Sequence, residues 1–308
     1  MNPSILMVDI CLFCVMLLAT IRGKKLAIQI DFNKAWSDMK YHTSLPLVSF
    51  GPYSPAYLIA ADENINCDVR QYMYNSEYKK YCEKILTVSA SGDHPLFCKM
   101  YGAKEITTFD ITYTSKIIMD IKTLAIKQLD FGEYWQLLKD LWRNPNIISV
   151  PNFEHIMQKL DSNEQKYIRV IGGKFALFTY GASPDFFSTD TDKRNQKLLH
   201  EELHQADLPA FPFIWSDIAH LDTKLGDNTY DFIYLSNILD WVSDDTTTSV
   251  LNALTKRLNY GGRILIRVIH GDTTSLRDIC KSIEKQSPNL AFINHWTHMI
   301  LVKRTRTI

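Results

Sequence analysis

The chain has 308 residues with 34 basic and 34 acidic side chains, enough for one large domain or two small ones of ordinary globular composition. A net charge of zero supplies no overall basic field for a nucleic-acid backbone, so no nucleic-acid partner is expected. Six scattered cysteines (Cys11, Cys14, Cys67, Cys82, Cys98, Cys280) lack histidine spacing. They point to free thiols in a reducing compartment, with no zinc or other metal site.

Residues 1–25 form an apolar N-terminal segment. Ile5 to Ile21 is interrupted only by Asp9 and is followed by Arg22, Lys24 and Lys25. Its length is marginal for a membrane span, and it lacks the basic start of a signal peptide. Three readings stand side by side: an anchor, a helix packed on the domain, or a spurious extension. As an anchor, its positive flank would keep the remainder cytoplasmic, in contact with the membrane through residues 5–21.

Residues 26–83 read as a lead-in or cover, with a break at Gly51-Pro-Tyr-Ser-Pro55 and an aromatic-rich helix near Tyr72 to Tyr81. Residues 84–308 read as an α/β domain. Lys84 to Val88 is a first strand, followed by the small-residue turn Ser89-Ala90-Ser91-Gly92-Asp93 and a helix. Glu105 to Asp110 is a second strand ending in an acid. A long helical stretch from Thr112 to Leu141 follows, with apolar residues at spacings of three and four. It opens a helical insertion over 112–208, read as a cap on the substrate side. Within it lie a Gly172-Gly173 turn and a polar helix near Lys193 to His204, whose Glu201-Glu202-Leu203-His204 reads as a solvated face.

The α/β pattern resumes with strands at Phe211 to Asp217, Tyr230 to Ser236 and Arg263 to Ile269. Helices at Thr246–Leu258 and Ser275–Gln286 intervene, and an antiparallel pair at 291–294 and 297–303 closes the chain. Strands alternating with helices and ending in a hairpin is the Rossmann-like layout of class I S-adenosylmethionine-dependent transferases. In such sheets the ligand lies beyond the carboxyl ends of the strands at the topological switch point.

That layout assigns candidate roles. A dinucleotide fingerprint needs three glycines, and Gly92 stands alone in the first turn, which leaves room for a nucleoside cofactor such as S-adenosylmethionine. Ser89, Ala90, Ser91, Gly92 and Asp93 would approach it. Asp110 would accept the ribose hydroxyls, with Ile111 beside it. Ser216 and Asp217 would lie near the adenine, although Asp217 is equally well placed to cap the turn after it. Ser236, Asn237 and Asp240 would meet the reacting end, and Trp241 would cover the site or belong to the core. Asp240 and His94 are the candidate catalytic residues, although a histidine at a helix start is commonly structural.

Four stretches taken together carry a family resemblance: Ile85 to His94, Ile106 to Ile111, Leu235 to Trp241 and Gly261 to Arg267. They resemble the S-adenosylmethionine:diacylglycerol 3-amino-3-carboxypropyltransferases of betaine-lipid synthesis. Gln128 to Leu137 and Tyr57 to Ile65 also resemble segments of that family. The resemblance implies transfer of the aminocarboxypropyl group to a lipid or small-molecule nucleophile, with release of methylthioadenosine. The chain departs from the family pattern in the first turn and after Asp110, where Ile111-Thr-Tyr113 replaces an Asn-Pro pair. Alternatives are a small-molecule methyltransferase and a non-catalytic protein that binds S-adenosylmethionine.

Overall fold

The computed structural model describes residues 56–57, 64–75, 80–144, 146–151, 153–170, 173, 176–177, 190–269, 273–295 and 297–304. The apolar segment at 5–21, the break at Gly51–Pro55 and Gly172 lie outside these residues. Among the described residues no helix is long and apolar enough to cross a membrane. Nor does any group of three or more His, Cys, Asp or Glu side chains there have the placement to hold a metal.

Seven strands form one sheet: β1 Lys84–Val88, β2 Glu105–Asp110, β3 Phe213–Trp215, β4 Tyr230–Ser236, β5 Leu258–Arg267, β6 Leu290–His295 and β7 His298–Lys303. Their order across the sheet is 3-2-1-4-5-7-6. The first five run parallel, and β7 runs antiparallel to both β5 and β6. The central strands β1 and β4 are almost wholly buried, which is why they read as continuous apolar runs rather than as alternating ones.

Successive residues of each strand feed two cores. Ile85, Phe232, Tyr234 and Leu265 face one core, together with α1 (Ile65–Tyr72), α2 (Asp93–Met100) and α3 (Tyr113–Gln128). Leu86, Ile233, Leu235 and Ile266 face the other, with α9 (Asp244–Lys256) and α10 (Thr273–Gln286). The period of two along a strand produces this division.

The long helical stretch after β2 is two helices. Leu129 ends α3, and Asp130 starts α4 (Phe131–Arg143) with a capping box to Glu133. α3 packs on the sheet as the crossover, so the extra helical layer begins only at α4. It continues through α5 (Phe153–Met157), α6 (Ser162–Val170) and α7 (Asp190–Leu203), and α8 (Leu221–Lys224) follows β3. Glu201 and Glu202 are exposed, as expected of a solvated face, while the histidines beside them dock on α3. His200 Nε2 lies 2.9 Å from the Leu129 carbonyl oxygen, and His204 Nδ1 lies 2.6 Å from that of Ile126. These carbonyls end α3 and have no partner within the helix.

The helix expected near Tyr72 to Tyr81 lies further upstream, as α1. Its buried stripe Ile65, Asp68, Val69, Tyr72 follows helical spacing, and Asn64 caps it by accepting from the Cys67 amide at 3.2 Å. Tyr74–Asn75 and Lys80–Tyr81 pair as a short antiparallel ladder. Asn259 to Gly262 lies inside β5, where the register with β4 shifts. A Cβ at Gly262 would come 2.8 Å from the Asn259 carbonyl oxygen and 3.0 Å from that of Tyr230, so the irregularity admits no side chain.

Candidate functional site

β1 and β4 are neighbours, but the chain leaves β1 toward β2 on one side and β4 toward β5 on the other. Their carboxyl ends form the switch point, where such sheets open a crevice. Two non-glycine residues with positive φ are found among the described residues, and they sit at these two ends: Ala90 at 42° and Ser236 at 52°. Each such residue costs on the order of 1–2 kcal/mol. The turn after β1 is also pressed against α3. Gly92 holds φ 80° as the N-cap of α2, and a Cβ there would come 2.8 Å from Met119 Cα.

Asp110 ties this turn to the end of β2. It is buried. Its Oδ2 accepts from the Ala90 amide and its Oδ1 from the Thr112 amide, both at 3.0 Å. Burial pushes its carboxyl above the ordinary aspartate value, and the Thr112 and Ala90 amides oppose that push.

Asp93 takes a different direction from the one expected. Its side chain is buried within a polar network rather than turned to the crevice. Oδ1 accepts from Lys122 Nζ at 2.6 Å and from Gln196 Nε2 at 3.1 Å, while Oδ2 accepts from Ser91 Oγ at 2.9 Å. Tyr134 donates to Gln196 at 2.7 Å. Burial raises the Asp93 carboxyl, but the Lys122 ammonium and its neighbours hold it below the usual range. The first turn is thereby joined to α3 by a buried ion pair, and to α7 and α4 by the hydrogen bonds through Gln196 and Tyr134.

The remaining candidates spread along the rim. Ser89 is buried and its hydroxyl donates to the Ser115 carbonyl. Ser216 is buried behind Asp110, whose carbonyl accepts its amide at 3.0 Å. Ser216 Oγ has no hydrogen-bond partner among the described residues. Asp217 caps the turn Ile218–His220, accepting from the His220 amide at 2.9 Å and facing the His220 ring. Ile111 and Trp241 are exposed, so Trp241 is not core. Ser236 Oγ lies 3.4 Å from Asn237 Oδ1.

The two candidate catalytic residues are both held by the fold. Asp240 Oδ2 accepts from the Ile269 amide at 2.9 Å, bracing the segment after β4 against the one after β5. His94 is 1% exposed, with its ring edge-on to Tyr234 at 4.9 Å between centroids.

Sequence reasoning missed the cluster that lies beyond that tyrosine. Asp68 Oδ2 accepts from Tyr234 Oη at 2.7 Å and from Arg267 Nη1 at 3.1 Å, and Oδ1 lies 3.0 Å from His298 Nε2. Burial pushes the Asp68 carboxyl up, and His298, Tyr234 and Arg267 together hold it below the ordinary value. The available signal was an acid inside the apolar stripe of α1. Lys122 carries the same signal between Ile121 and Ala125 on the buried face of α3.

A seven-stranded sheet ordered 3-2-1-4-5-7-6 with a reversed seventh strand is the Rossmann-like class I transferase layout that the sequence pattern anticipates. No family model and no curated protein matches the chain. Solved structures with a distant likeness include the N-methyltransferase NodS from Bradyrhizobium japonicum WM9 in complex with S-adenosyl-L-homocysteine. It is 9% identical, with 87% of this chain and 96% of that one covered at a TM-score of 0.38. Magnesium protoporphyrin IX methyltransferase (ChlM) from Synechocystis PCC 6803 is 9% identical, with 89% and 94% covered at a TM-score of 0.37. The ribosomal protein L11 methylase from Lactobacillus delbrueckii subsp. bulgaricus is 10% identical, with 80% and 82% covered at a TM-score of 0.38.

Proposed function

We propose that the chain is an S-adenosylmethionine-dependent transferase that methylates a small-molecule nucleophile. The observation that carries this reading is the pairing of Ala90 and Ser236, both at positive φ on either side of the switch point, with Asp110 tied to one of them. Backbone strain persists where the surrounding structure holds it, and it concentrates at ligand sites.

The residues fit a nucleoside cofactor. Asp110 holds its carboxylate at the end of β2, and each carboxylate oxygen accepts more than one hydrogen bond, so ribose hydroxyls find acceptors there. Ile111 offers an apolar surface next to it, and Ser216 Oγ offers an unused polar atom. The small side chains of Ser89 to Gly92 leave the backbone approachable at the start of α2. Ser236, Asn237 and Trp241 would flank the reacting end. S-adenosylmethionine brings a carbon already activated by its sulfonium. The chain's share of the work is therefore placement of the acceptor and removal of its proton.

Aminocarboxypropyl transfer to a lipid or soluble acceptor is the second reading, favoured by the four motif stretches and above all by Gly261-Gly-Arg-Ile-Leu-Ile-Arg267. Methyl transfer leads because the chain departs from that family in two loops at the crevice: the turn Ser89–Asp93, with Asp93 drawn inward to Lys122, and the segment after Asp110.

The readings separate by product. The full chain is incubated with S-adenosylmethionine and a cell extract, and the nucleosides are measured by mass spectrometry. Methyl transfer gives S-adenosylhomocysteine above a control lacking the chain. Methylthioadenosine instead establishes the second reading. Binding without either product leaves a non-catalytic binding protein.

A further inference from the structure

The cluster around Asp68 lies at the same edge of the sheet as the crevice. Tyr234, Arg267 and His298 stand on β4, β5 and β7, near the carboxyl ends of the parallel strands and at the start of the reversed one. Asp68 reaches them from the inner face of α1, 4% exposed. Arg267 alone balances its charge, and Tyr234 satisfies a further lone pair. Anchoring α1 to the sheet therefore gives no reason for a histidine as well.

The His298 ring is fixed from several sides. Nε2 lies 3.0 Å from Asp68 Oδ1, and the Tyr72 ring packs at 5.1 Å between centroids. His295 on β6 meets Tyr72 Oη at 3.1 Å. The other nitrogen, Nδ1, turns toward the hairpin at the rim, 3.4 Å from Thr297 Oγ1, and the His298 side chain keeps 14% exposure. A buried carboxylate 3.0 Å from one imidazole nitrogen favours the tautomer that carries its proton there, which leaves the lone pair on the other nitrogen. His94 lies deeper, and Asp240 is occupied with the Ile269 amide.

We propose that His298 accepts the proton of the nucleophile, an O–H or N–H group, and that Asp68 is its positioning residue. The inference rests on the transferase reading above. The acceptor's X–H bond breaks as His298 Nδ1 takes the proton. The acceptor's lone pair forms the new bond to the transferred carbon, and sulfur keeps the electrons of the broken C–S bond.

The first test needs no acceptor. Imidazole nitrogen NMR of the labelled full chain is expected to show neutral His298 protonated on Nε2, a preference that weakens in Asp68→Asn. Neutral His298 protonated on Nδ1 overturns the inference. The second test measures S-adenosylhomocysteine binding by calorimetry and product formation in the extract. His298→Gln is expected to bind within about twofold of wild type. It is also expected to lose about 100-fold or more in turnover, together with the acid limb of the pH–rate profile. Turnover within about threefold of wild type at unchanged binding overturns the role of His298 and leaves the transferase reading standing. Binding without turnover in the wild type itself overturns the transferase reading, and this inference with it.

Discussion

Ala90 lies in the turn after β1 and Ser236 ends the adjacent β4, and both hold their backbones in the left-handed region, at φ 42° and 52°. The strain is local to the switch point, so its relief is measurable. Ala90→Gly removes a steric cost of about 1–2 kcal/mol but adds chain entropy of about 0.5–1 kcal/mol. Stability in urea is expected to change by less than about 1 kcal/mol. Ala90→Val puts a β-branched side chain at positive φ and is expected to cost about 2 kcal/mol or more, and to weaken S-adenosylhomocysteine binding. Equal stability of the Gly and Val variants would remove the claim of strain.

Lys122 and Asp93 form an ion pair with side chains 0% and 3% exposed. Lys122→Met leaves a buried carboxylate without its cation and is expected to cost about 3–5 kcal/mol. Asp93→Asn in the same chain removes the stranded charge but keeps groups able to bond Ser91 and Gln196, so the double variant recovers a large part of the loss. Urea unfolding of the two singles and the double gives the coupling. Additive losses would mean that the pair does not hold the turn.

Lys116 Nζ gathers three carboxylates: Asp120 at 2.7 Å, Glu164 at 2.8 Å and Asp161 at 3.3 Å. Burial, reinforced by Asp120, pushes the Glu164 carboxyl up to about 9 from an unfolded value of 4.5. The folded state therefore binds the proton more tightly. Its stabilising effect is complete below 4.5 and is lost as pH rises toward about 9. Glu164→Gln mimics the protonated form and is expected to flatten the fall in stability across that window, gaining most on the alkaline side. Melting curves across the window check this, and parallel profiles for wild type and variant would refute it.

Asp240 braces Ile269 through one hydrogen bond, and an asparagine carbonyl can accept the same bond. Asp240→Asn is expected to keep turnover within about threefold, whereas Asp240→Ala loses a bond worth about 1 kcal/mol or more and loosens both segments. A loss of about 100-fold in Asp240→Asn would instead make the carboxylate a proton acceptor.

The sheet was legible because its strands are apolar runs ended by small or acidic residues. β4 spans Tyr230–Ser236 as read, and the closing hairpin falls where its two runs placed it. The break between α3 and α4 was hidden because Leu129 and Phe131 continue the apolar spacing across it. Only the Asp130–Glu133 capping box marks it. The side-chain directions of Asp93, His94 and Asp240 were also out of reach. Whether a residue faces the crevice or a buried partner depends on Lys122, Tyr234 and Ile269, which are 29, 140 and 29 positions away in the sequence. The Asp68 cluster joins α1, β4, β5 and β7, and short-range spacing could show only an acid in an apolar stripe.

The most direct measurement is calorimetric titration of S-adenosylhomocysteine into the full chain and into Asp110→Ala. Saturable one-to-one binding is expected of the wild type and at least about tenfold weaker binding of the variant, because a carboxylate hydrogen-bonded to the ligand contributes about 1.5–3 kcal/mol. No binding by the wild type, or equal binding by a folded Asp110→Ala, would contradict the placement of a nucleoside at this switch point.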